Sequence, residues 1–355
     1  MRFMRINNGT KGILPAGLLS VLLAGCNLTG SSEGLALRAM AFTPNGNVLV
    51  VGGLHGQSTT KPTLQVWDPS HLNTPPRMLP EQAVVYALAV SPDGQTVATI
   101  DDTKQVRLWN TSAPQAAPIV VAGSPPSLTT LRFSPDGTQL VAGGRTAGIH
   151  VSENFLYFWD VGHPQSAPRR VAGLDGDIND VAFSPDGHWL AAAMSDHKVR
   201  VWNMAQIDAP PLVLAAAKGN TDYLAFSGDN HTLAVNDRES PDLKGSSRDK
   251  VLLWDVQQPT AAPGIVDTQD CRIRALAVHP SKQTLAVGCF EGTTELWDLP
   301  QSTAPPVVLH SGQQSIWSVA FSPDGHWLAT GNIFGALQVL DLRQPGATPT
   351  TVTAP

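Results

Sequence analysis

The chain has little of what catalysis or membrane crossing requires. Its 355 residues contain no H-E-x-x-H pair and no Gly-rich phosphate loop ending in Lys, and the G-x-S-x-G string at Gly30 to Gly34 lies in a small, polar stretch with no apolar strand run leading into it. The zinc and nucleotide motifs are therefore absent, the nucleophile string lacks the strand-to-turn context it needs, and no catalytic residue, metal ligand or cofactor is expected. The ten histidines are scattered, and His188 and His326 occupy one repeat position, which explains them without ligation. The apolar run at residues 13–24 is interrupted by Pro15 and falls short of the roughly 20 residues of a spanning helix. Helical periodicity is missing outside the N-terminus, which argues against a helical bundle. Charge is sparse too: 15% of residues are charged and the net charge is −6, becoming −9 once Arg2, Arg5 and Lys11 leave with the first 25 residues. Such a chain lacks the basic surplus of phosphate-backbone binders, so nucleic acid is not an expected partner.

Proline and glycine are plentiful, 29 and 31 residues, and they recur at fixed places between apolar runs. The organising stretch is VAFSPDGHWL, found at residues 181–190 and again at 319–328, with looser copies beginning at Met40, Leu88, Leu131, Leu224 and Leu276. Each copy reads as a hairpin, in which Pro sets φ at the second turn position, Asp suits the third and Gly takes the left-handed conformation. Around residue 228 the turn is Ser-Gly-Asp-Asn, where Asn230 stands in for Gly. An apolar segment ending in Trp-Asp or Trp-Asn follows six of the hairpins, at Trp67, Trp109, Trp159, Trp202, Trp254 and Trp297; the seventh has Leu340-Asp341. A Pro-rich link and one more short apolar strand complete each unit, giving four strands.

Seven such units resemble the WD-repeat family, and the resemblance runs from about residue 35 to the C-terminus. It implies an all-β fold, a seven-bladed β-propeller of four-stranded antiparallel blades over residues 37–355. The family's Gly-His pair before the innermost strand is missing, and an Asp before the Trp strand occurs only at Asp101 or Asp102 and at Asp196, with Glu291 a stand-in. The His–Asp–Trp network of the family is thus expected to be incomplete. No strand is left over to be exchanged between the termini, so the ring is expected to close by packing alone.

Residues 1–25 read as an export signal, with a cationic start, an apolar stretch and Leu-Ala-Gly before Cys26. The ending is similar to the bacterial lipoprotein signal, which implies lipidation of Cys26; the alternative is an ordinary secretory signal with a chance cysteine. Residues 26–36 then form a lipidated tether reaching at most ~35 Å. The resulting expectation is a protein of the bacterial cell envelope, lipid-anchored to a membrane and facing the periplasm or the exterior. Asn27, where an Asp would favour inner-membrane retention, points to the outer membrane if the organism is Gram-negative. The remaining cysteines, Cys271 and Cys289, flank the sixth hairpin about symmetrically, and either a cross-strand disulfide or two buried thiols fits them.

From turn to Trp position, units two, four, six and seven span 17 residues, whereas units one, three and five are longer. The extra length lies in loops 54–63, 145–154 and 237–249, between second and third strands. Duplication of a two-blade unit and a binding surface both explain the alternation. The family's register places one residue per blade at the channel mouth on that face: Arg38, Tyr86, Thr129, Asn179, Asp222, Arg274 and Trp317. Two arginines and two aromatics in one ring match protein-binding hot spots, although freely drifting surface positions are the alternative. The resulting expectation is a non-catalytic interaction scaffold whose protein partner is embedded in, or adjacent to, the membrane. The second reading is an enzyme or small-ligand receptor using the channel.

Overall fold

The computed structural model describes residues 35–353 apart from 56–62, 82, 145–153, 175, 215–218, 239–248, 269–270, 300–303, 311–313 and 345. The signal, Cys26, most of the tether and the central parts of the three long loops lie outside these residues. The described chain forms 28 strands and a single 3-10 turn, Met204–Gln206. No described helix is long and apolar enough to cross a membrane.

The strands make seven four-stranded antiparallel sheets, each in chain order. Blade one runs from Leu35–Phe42 to Arg77–Leu79, blade two from Val85–Val90 to Ile119–Val120, and blade three from Leu128–Phe133 to Arg169–Leu174. Blade four runs from Ile178–Phe183 to Leu212–Leu214, blade five from Leu224–Phe226 to Gly264–Asp267, blade six from Ile273–Val278 to Val307–His310, and blade seven from Ile316–Phe321 to Thr350–Thr353. The protein is a seven-bladed β-propeller. Blade seven is built wholly from contiguous chain and no strand is exchanged between the described ends.

Both signature motifs have a local cause. In the second blade's turn, the Ser91 hydroxyl donates to Asp93 Oδ1 at 2.5 Å, Asp93 Oδ1 accepts from the Gln95 N–H, and Gly94 has φ +72°. The hydrogen bond from Ser91 holds the Asp93 carboxyl below its usual range. Asn230 takes φ +71°, as its position predicts. Blade five has Gly228 where other turns have Pro because a Cβ there would lie 1.7 Å from the Pro280 carbonyl oxygen of the next blade. The residue after the Trp position ends the strand by an Asx turn: Asp68, Asn110, Asp160, Asn203, Asp255 and Asp341 each accept from the N–H two residues on. Only the side-chain oxygen is needed, so Asp and Asn are equivalent here.

The core is divided rather than central. Seven apolar clusters each combine residues of two adjacent blades, one cluster per joint. At the joint between the last and first blades, Leu37, Met40 and Phe42 pack with Ala329, Leu337 and Val339. Fully burying a side chain of this size contributes about 1.5–3 kcal/mol. Gly331 lets the strands approach, since a Cβ there would sit 2.8 Å from Leu37 Cβ. The indole N–H groups find varied partners: Trp67 donates to Gln65, Trp109 to Thr99, Trp159 to the Ala122 carbonyl and Trp297 to Glu295. Asp101 and Asp196 serve arginines instead, pairing with Arg107 and Arg200.

Cys271 and Cys289 are joined by a disulfide, with Cα atoms 5.1 Å apart. Cys271 precedes the inner strand, and Ile273 rather than Cys271 is the register partner of Cys289. Two of the long loops are partly strand: the pairs Asp237 with Lys250 and Arg238 with Asp249 extend blade five, and the second strand of blade one reaches His55.

Candidate functional site

The inner strands begin beside the ends of the second strands, as in Val85 with Asp101 and Ile316 with Asn332. The channel mouth and the long loops therefore share one face. Six inner strands carry a register shift near their start, and the residue skipped by the ladder is Arg38, Tyr86, Thr129, Asn179, Arg274 or Trp317. A β-bulge frees that residue from pairing and re-aims its side chain. All six line a cavity of about 410 Å³ at the mouth.

Blade five differs. Its inner strand is short, and Asn236 Oδ1 accepts the N–H groups of Asp222 and Tyr223, both at 2.8 Å. Tyr223 lines the cavity there, while Asp222 pairs with Arg238 at 2.9 Å.

The ring separates into two arcs. Over blades three to five the side chains tie neighbouring blades together: Thr129 donates to the Ile178 carbonyl at 3.1 Å and Asn179 to the Thr221 carbonyl at 2.9 Å. Deeper in the wall, Asp180 accepts from Thr130 and pairs with Arg132 at 3.1 Å. Over blades six, seven, one and two the residues are Arg274, Trp317, Arg38 and Tyr86, with Arg38 stacked on both Trp317 and Tyr86. Arg38 lies 4.6 Å from the centre of Trp317 and 5.6 Å from that of Tyr86, and Lys104 Nζ covers Tyr86 at 4.8 Å. Arg274 lies 5.1 Å from the Phe290 ring and reaches the Tyr223 hydroxyl.

These four residues and Tyr223 line a narrower recess of about 250 Å³. Burial lowers the Arg38 pKa, and burial together with nearby Asp222 raises that of Tyr223. Arg38 Nε, Arg274 Nε and Trp317 Nε1 are buried without a hydrogen-bond acceptor among the described residues. A buried donor left unsatisfied costs about 1–3 kcal/mol. Trp317 is half-buried beneath Arg38, so its indole is less open than a solvated mouth position would be.

Four segments of the chain match the profile of the WD domain, G-beta repeat: residues 74–110, 169–203, 265–298 and 305–333. These four segments are similar to WD repeats. Each matched WD repeat opens at the outermost strand of one blade and continues into the inner strands of the next, as residues 74–110 do from Arg77–Leu79 to Val106–Asn110. The matches fall on blades two, four, six and seven, those with the short loops. No curated protein sequence matches the chain. WD-repeat propellers are commonly protein-interaction scaffolds; among the described residues this recess is lined by two arginines, two tyrosines and a tryptophan. The residue that sequence register missed is Tyr223.

Proposed function

We propose that the protein is a lipid-anchored, non-catalytic interaction scaffold of the bacterial cell envelope, which binds a membrane-embedded or membrane-adjacent protein through the channel mouth and its surrounding loops. The observation that carries this reading is the arc of Arg274, Trp317, Arg38 and Tyr86, which lines one recess and leaves Arg38 Nε, Arg274 Nε and Trp317 Nε1 without an acceptor among the described residues. Trp, Tyr and Arg are the residues that dominate protein-binding hot spots. Export is supported by the signal-like N-terminus and by the Cys271–Cys289 disulfide, a bond that persists in oxidising compartments. A tether of ten or so residues keeps the mouth within ~35 Å of the bilayer.

The test is co-purification from detergent-solubilised membranes with wild type and with a Trp317→Ala, Arg274→Ala variant. Loss of a reproducible partner from the variant is the expected result, and an unchanged partner set refutes the assignment of this face. Cys26→Ala is expected to release the protein from membranes; continued membrane association would refute the anchor. A second reading, a small-ligand receptor, is favoured by the 410 Å³ cavity, and wild type that captures no partner at all would select it.

A further inference from the structure

The arginines of this face divide into two groups. Arg132, Arg200, Arg238 and Arg272 each meet a carboxylate, at 3.1, 2.8, 2.9 and 2.6 Å. Arg38 and Arg274 form no ion pair among the described residues, although both are partly buried and both have an Nε–H without an acceptor. The recess they share has no acidic side chain in its lining. Two acids near the recess are already paired, Asp222 with Arg238 and, deeper in the cavity wall, Asp180 with Arg132. Two cations are therefore held in one aromatic-walled recess with no internal counter-charge, and a third donor, Trp317 Nε1–H, is buried beside them.

We infer that the recess takes a carboxylate presented by the protein partner, so that Arg38 and Arg274 form charge-assisted hydrogen bonds to its oxygens and the indole N–H of Trp317 adds a third. This rests on the reading of the face as protein-binding and names what it recognises. The chemistry follows from the donors. The Nε–H and Nη–H edge of a guanidinium matches the two oxygens of a carboxylate, and a half-desolvated site strengthens the bond. The rings of Trp317 and Tyr86 hold both arms of Arg38 in place beforehand, which lowers the ordering cost on binding. The net charge of −6 disfavours a polyanion, whereas a single carboxylate needs only the two local cations.

The experiment uses the full-length chain in detergent and three bead-bound pools of random hexapeptides. One pool has Glu fixed at the centre with both ends blocked, the second has Gln there with both ends blocked, and the third has Gln with a free C-terminal carboxylate. Wild type is expected to be retained about tenfold or more on the first or third pool relative to the second, the size of a charged hydrogen bond at a desolvated site. Which pool wins tells an acidic side chain from a chain terminus. The preference is expected to vanish in Arg38→Gln, Arg274→Gln and to weaken in the Arg38→Lys, Arg274→Lys variant, which keeps both charges and guards against a folding artefact. Equal retention on all pools overturns the inference, as does a preference that survives Arg38→Gln, Arg274→Gln. Free glutarate or inorganic phosphate that binds as tightly as the best pool would overturn the protein source. If the pools show no preference while Trp317→Ala, Arg274→Ala still loses its co-purified partner, the carboxylate fails and the protein-binding face stands.

Discussion

The guanidinium of Arg38 lies 4.6 Å from the ring centre of Trp317, and these residues belong to the first and last blades. The contact that shapes the recess is thus also a clasp across the ring's closing joint. A partly desolvated cation–π pair is worth about 1 kcal/mol. Arg38→Ala is expected to lower unfolding stability by about that amount, whereas Trp317→Phe, which keeps the ring face, should change it by less. Urea melts of both variants check the ordering, and a larger loss from Trp317→Phe would contradict it.

The same joint depends on Gly331. A side chain at this position meets Leu37 Cβ at 2.8 Å and Met40 Sδ at 3.2 Å. Gly331→Val is expected to cost about 1–3 kcal/mol by overpacking, and limited proteolysis should then cut first near the inner strand of blade one. Melting equal to wild type would show that the joint yields more easily than its geometry implies.

The disulfide spans 18 residues of blade six. Closing a loop of that size contributes about 3 kcal/mol, so Cys271→Ala, Cys289→Ala should lose roughly this much. Dithiothreitol should shift wild type in the same direction and leave the variant unchanged. Stability indifferent to both treatments would refute the contribution.

Asp249 lies beside that disulfide. Its carboxyl accepts from the Ile273 N–H at 2.8 Å, and its other oxygen has no hydrogen-bond donor among the described residues. Burial raises its pKa to about 6, above the ~3.9 of an unfolded Asp. The folded state therefore binds the proton more tightly, and folding is favoured as pH falls from about 6 toward 4. Wild-type stability attributable to this group should rise across that window, and Asp249→Asn should be the more stable protein at pH 7 with the difference closing by pH 4. Parallel pH–stability curves would refute the assignment.

Much of this architecture was legible in the sequence because a propeller repeats its local chemistry. Four Ser-Pro-Asp-Gly turns, three variants of them and the terminal Asx residues mark seven hairpins independently of what packs on them, and blade number, strand number and closure without strand exchange all follow. What was not legible depends on neighbouring blades. Trp67, Trp109, Trp159 and Trp297 use four different acceptors, one of them a carbonyl 37 residues away, and no repeat pattern encodes such choices. Tyr223 enters the recess because the Asn236 side chain replaces strand pairing beside it. Whether Cys271 and Cys289 were bridged turned on the path of the chain just before the inner strand, since Cys271 lies two residues outside the ladder and Ile273 is the register partner of Cys289.

Because each blade is contiguous, the backbone crosses six of the seven joints, passing from an outermost strand to the next inner one, and the seventh is crossed by no covalent link. Mechanically the ring is a split washer. A radial load is expected to open the joint between blades seven and one first, because packing alone holds it. An anion seated between Arg274 and Arg38 would straddle blade seven and bridge that gap, so occupancy of the mouth would stiffen the whole circumference.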